Sequence, residues 1–156
     1  MQGRYSVEND LNGWAIYFED TVYRLLKVYM ESKESGIKVT QDEESNGTPV
    51  FPTLLIQQIG FTEAGRDTES YFINAIRPTF QITITNKGKR EKIKDIAECA
   101  VSFFKSKNFD VSNAVFTISK QVRTATFRVS RIIGAYENLA QPQGRKEAEN
   151  HGINKL

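Results

Sequence analysis

Residues 80–85, FQITIT, alternate apolar and polar side chains without a break. Side chains of an extended strand point to opposite faces in turn, so this run predicts a strand with one dry face and one wet face. It ends a longer apolar run over residues 71–85, which Pro78 interrupts. A proline gives no ladder hydrogen bond, so a bulge or an edge position is expected there. Three further stretches share the pattern. Residues 50–59 form a β-rich run closed by Gly60, with Pro52 placing it near an edge or a strand start. Residues 114–121 and 124–133 form two more, and in the second Phe127, Val129 and Ile133 alternate with Arg128 and Ser130. The polar link between these two suits a hairpin. Residues 61–70 read as a polar turn, and 37–49 as an exposed acidic loop with a short strand at 37–39.

Two stretches follow the helical period instead. Leu11, Trp14, Ala15, Phe18, Val22, Leu25, Leu26 and Tyr29 step by threes and fours. Asn9 or Asp10 reads as the N-cap and Gly36 as the stop, which predicts a helix over 11–34. Ile93, Ile96, Ala97, Ala100, Phe103 and Phe104 predict a second over 89–107. The order α-β-β-α-β-β, with one-sided stripes and half-wet strands, predicts an α+β two-layer sandwich. Two helices pack on one face of a mainly antiparallel sheet of four or five strands. Trp14, Phe18, Leu25, Phe80, Ile82, Ile96, Ala100 and Phe104 are its expected core. The 156 residues suit one domain, here 1–138, followed by a polar tail at 139–156. With 39% apolar residues, a core that buries roughly two-thirds of the unfolded surface is within reach without cross-links.

The chemistry-bearing residues are few. The one cysteine, Cys99, falls within the second helical stripe and reads as a small buried hydrophobe. The one histidine, His151, lies in the polar tail, so neither a Cys–His nor a Ser–His pair is expected. No glycine-rich phosphate loop and no metal-ligand spacing occurs. The acidic run Asp42, Glu43 and Glu44 reads as a solvated or partner-contacting tract rather than a cation cage. No enzyme, cofactor or metal is expected. No stretch approaches the ~20 apolar residues of a membrane span, and residues 1–9 lack a secretory apolar core, so neither a membrane partner nor secretion is expected.

Charge is the informative quantity. Residues 1–70 hold six basic and twelve acidic residues, a balance of −6, whereas residues 71–135 hold twelve basic and four acidic, a balance of +8. Such a split inside one small domain lets one face of a copy meet the opposite face of the next. On the acidic side the candidates are Glu31, Glu34, Asp42, Glu43 and Glu44. On the basic side they are Lys87, Lys89, Arg90 and Lys92, with Arg123, Arg128 and Arg131 beyond. Basic residues at a helix start oppose the macrodipole, so an acidic neighbour or a phosphate is expected near them. Phe51, Tyr71 and Phe72 are the expected apolar centre of the contact. The same basic residues also suit a nucleic-acid-binding module, although Phe127 and Arg128 point to opposite faces, which is poor geometry for base stacking.

Element order and local sequence together resemble the tail terminator, or tail completion, proteins of long-tailed bacteriophages. The resemblance covers residues 10–137. It rests on the long first helix, the strand PTLLIQQIG, the strand PTFQITITNKGK, the helix KREKIKDIAECAVSFFKSKNF and the strand VRTATFRVSRIIGAYEN. It implies a virion protein, made in the host cytoplasm and placed in the tail-neck region. Such proteins form homohexameric rings at the head-proximal end of the tail. They stop tail-tube polymerisation and dock the head-side connector or stopper, while double-stranded DNA passes through the lumen. Tail tube protein, and tail sheath in a contractile tail, are then further partners. A different head–tail joining protein, a head-side stopper or adaptor, is the alternative.

Overall fold

The computed structural model describes residues 2–42, 49–66, 73–135 and 137–139. The chain begins with helix α1, Gln2–Lys33, followed by strands β1 (Lys38–Thr40), β2 (Thr53–Arg66) and β3 (Ile73–Lys87). Helix α2, Arg90–Ser106, then leads to β4 (Asp110–Val111), β5 (Val115–Ser119), β6 (Val122–Ser130) and β7 (Ile133–Gly134). All seven strands join one sheet in the order β1-β2-β3-β6-β4, with β5 also on β6 and β7 on β3. Among the described strands only the β1–β2 pair is parallel. The expected mixed fold is present, but with seven strands rather than four or five. The short strand expected at 37–39 is β1, and the additions β4 and β7 are two residues long, too short to show a period.

The alternation at 80–85 does what it predicts. Phe80, Ile82 and Ile84 are fully buried, while Gln81, Thr83 and Thr85 share the opposite face. Register carries the same parity across the sheet. Ile56, Ile82 and Phe127 stand in one row, and Leu54, Ile84 and Ala125 in the next. Over these rows lie Ala15, Phe18, Val22, Leu26 and Met30 of α1, and the six apolar residues of α2. Phe18 meets Phe80 with ring centroids 6.4 Å apart, and Phe104 meets Phe127 at 6.5 Å, so both helices cover the same face. Burying each such side chain contributes about 1.5–3 kcal/mol. Trp14 and Leu25, expected in the core, are only half-buried at its border, because they flank the stripe rather than centre it. Cys99 is also half-buried.

Several boundaries differ from expectation. Helix α1 starts at Gln2, so Asn9 and Asp10 lie inside it rather than capping it. At its other end Gly36 (φ 83°) turns the chain, and the Ile37 amide donates to the Glu34 carbonyl. Residues 61–66 continue β2 instead of forming a turn. They pair with residues 73–78 in an arm that β7 joins at Ala75 and Ile76, and in which polar side chains have a wet face to occupy. Pro78 causes no bulge in its own strand and is buried opposite Phe61. It falls between Thr79, the last β3 residue paired with β6, and Ile76, the first paired with β7. Pro78 therefore lies in the interval between the β6 and β7 ladders. The nearest irregularity in the β2–β3 ladder lies between Gln58 and Gly60, opposite Phe80 and Thr79. The expected hairpin is present, with its turn two residues earlier in the chain: Lys120 and Gln121 link Ser119 to Val122. Leu139 is buried against the core, and the rest of the expected tail lies outside the described residues.

Candidate interaction surface

Helix α2 packs over β3, β6 and β4, and the helix layer stops there. Strand β5 lies beyond it at the sheet edge, and all five of its residues are exposed. Val115, Phe116 and Ile118 keep 60%, 44% and 58% of their surface in water. Phe116 and Ile118 face the helix side, because their register partners are Ala125 and Arg123, and Ala125 is in the core. Among the described residues, no helix covers them. Instead they form one wall of a 330 Å³ groove whose other walls are Arg90, Ile93, Lys94 and Arg123. Lys94 Nζ stands 5.8 Å from the Phe116 ring centroid. Arg123 Nε donates to the Gly88 carbonyl oxygen at 3.1 Å, which ties β6 to the entry of α2 and holds the guanidinium on the rim. An apolar floor with a cationic rim and an unpaired strand edge can receive an extended segment carrying apolar and acidic side chains.

Among the described residues, the opposite edge of the sheet is also open. Strand β1 covers only Thr53, Leu54 and Leu55 of β2. Farther along β2, Ile59 is 46% and Phe61 40% exposed.

The structure sorts the residues expected at an interface. Arg90 and Arg123 meet at the groove. Lys92 and Glu34, expected on surfaces of different copies, meet within one chain, with Lys92 Nζ 2.5 Å from Glu34 Oε2. The acidic neighbour expected at the start of α2 is thus internal. Glu31 pairs one turn away with Lys27 at 3.4 Å. The Lys27 ammonium is held above its ordinary range by the field of Tyr23 and the bond to Glu31. Lys87 lies over the Phe51 ring, 5.5 Å from its centroid, and Lys89 is exposed. Arg128 is on the helix-free face, its Nε donating to Gln81 Oε1 at 3.3 Å. Arg131 is a structural clamp: it donates to the Lys107 carbonyl at 2.6 Å and pairs with Glu137. Burial beside this clamp pushes the Lys107 ammonium down from its ordinary value. Asp42 and Phe51 help line a second groove of 410 Å³ on the helix-free face, with Leu55, Thr83 and Thr85. Glu43, Glu44, Tyr71 and Phe72 lie outside the described residues.

Sequence reasoning missed Val115, Phe116 and Ile118. Phe116 and Ile118 alternate with Thr117 and Ser119, which reads as a half-buried strand. Among the described residues, no group of three His, Cys, Asp or Glu side chains could hold a metal ion. No described helix is long and apolar enough to cross a membrane. Compared with known proteins, the chain matches no family model and no curated protein.

Proposed function

We propose that this chain is a self-assembling structural protein. It forms a homohexameric ring at the head-proximal end of a phage tail, terminates tube growth, docks the head-side connector and lets DNA pass through its lumen. The observation that carries self-assembly is the pair of open sheet edges, unlike in sequence and lying on opposite sides of one molecule. Both bear exposed large apolar side chains: Ile59 and Phe61 on β2, and Val115, Phe116 and Ile118 on β5. Monomeric proteins blunt such edges with charge, proline or a covering element, because a bare edge invites another chain. Two unlike surfaces that complement each other make a head-to-tail contact, which closes into a ring when the rotation permits. The place in a tail comes from the family resemblance and from the charge split. Light scattering and negative-stain imaging of the purified chain test the assembly: six-membered rings are expected, and a monomer at every concentration overturns the proposal. Tails made without the protein test the role. They should exceed their normal length or fail to join heads, and tails of normal length that join heads would end the idea.

A further inference from the structure

The two open edges match in face, direction and charge. On β2, Phe61 pairs with Pro78 and Glu63 with Ile76. Pro78 and Ile76 are buried in line with Phe80, so Phe61 and Glu63 lie on the helix-side face. On β5, Phe116 and Ile118 lie on that same face and form the groove with Arg90 and Lys94. Direction follows from the ladder. Strands β2 and β3, β3 and β6, and β6 and β5 are each antiparallel, so β5 runs opposite to β2. At its own level, β5 is in line with the stretch of β2 that β1 covers. A neighbour placed past β5 and shifted along the strand direction, clear of its β1, therefore presents its distal β2 antiparallel to β5, with the helix-side faces continuous. Its Phe61 then meets the apolar wall of the groove, and its Glu63 the cationic rim.

We propose that the β5 edge and its groove accept the distal β2 edge of a second copy of this chain, with Phe61 seated against Phe116 and Ile118 and Glu63 against Arg90 and Lys94. The inference rests on the reading of the chain as self-assembling, and it names the contact. Backbone hydrogen bonds along the edge supply attachment, and the alternating side chains fix which residues meet. The contact is head-to-tail, since each copy gives one edge and receives on the other.

A charge swap tests it. Glu63→Lys is one variant, and Arg90→Glu with Lys94→Glu is the other. All three residues are exposed, so both variants should fold, and circular dichroism checks this. Each variant alone places like charges across the contact. It should need roughly 10- to 100-fold more protein to assemble, read by light scattering at low salt. Mixed in equal amounts, each variant's altered edge meets the other's complementary edge, and assembly should return to the parent's concentration range. Ile118→Asp removes the apolar wall and should weaken assembly without rescue by the Glu63→Lys variant. If either charge variant assembles like the parent, or the mixture does no better than its parts, the contact lies elsewhere and this inference fails while self-assembly stands. A parent protein that stays monomeric overturns self-assembly itself.

Discussion

Among the described residues, three carry left-handed backbone without being glycine: Asn108, Lys120 and Gln121, with φ of 66°, 51° and 69°. Asn108 ends α2. The Phe109 amide donates to the Phe104 carbonyl and the Asn108 amide to that of Lys105, both at 3.0 Å, and the Phe104 and Phe109 rings meet at 5.3 Å. That pairing of bonds with an apolar contact is a Schellman ending, in which asparagine is the tolerated substitute for glycine. Replacing Asn108 by Val should cost about 1–2 kcal/mol, because a β-branched side chain resists that conformation, and denaturant unfolding would read the loss. Lys120 and Gln121 form the two-residue turn between β5 and β6, where Asn-Gly is the preferred pair. Changing them to Asn and Gly should stabilise the fold by roughly 0.5–1 kcal/mol, seen as a rise in the unfolding midpoint. The Lys92–Glu34 bridge should matter less. Lys92 is about half-exposed, so Lys92→Ala is expected to cost well under ~1 kcal/mol.

Among the elements, α2 links the core to the candidate surface. Its buried face supplies Phe103 and Phe104, and Phe104 touches the rings of Phe103, Phe109 and Phe127. Phe104→Ala should cost about 3–5 kcal/mol, because packed neighbours on several sides hold the cavity open. Its first turn, by contrast, carries Arg90 and Lys94 into water beside β5. The elements at the sheet edges were the hardest to read. Strand β5 has the composition of an interior strand, and β2 runs on through polar residues that resemble a turn. Periodicity reports which face of an element is dry. It does not report whether a covering element reaches that face, and at β5 none does.

For the whole molecule, the charge split takes a specific shape. Part of it is consumed internally, in Lys92–Glu34 and Arg131–Glu137. What remains at the groove is Arg90, Lys94 and Arg123 around exposed apolar side chains. Assembly driven by this surface should weaken as salt rises. Exposed pairs are screened beyond about 8–10 Å at ordinary ionic strength, while the apolar part persists. Measuring oligomer mass across salt concentrations checks this, and insensitivity to salt would leave the apolar residues as the only driving force. Reversing Lys89, Arg90 and Lys92 together changes two residues away from the groove lining and breaks the internal bridge. The Arg90 and Lys94 pair is therefore the cleaner probe.

Read alone, the sequence determined the two amphipathic helices, the half-wet strand at 80–85, the hairpin that became β5 and β6, and a core centred on Phe80, Ile82 and Phe104. Each of these is written in a local period of side chains, which needs no partner to be visible. It also showed the uneven charge. Tertiary structure alone decided which charges meet within the chain and where the helix layer ends. It also decided which apolar strand is left uncovered. Those outcomes depend on long-range register: β6, more than 30 residues after β3 in the chain, pairs with it and carries β5 past the edge of α2. An apolar residue looks the same in sequence whether the neighbour that covers it comes from its own chain or from another.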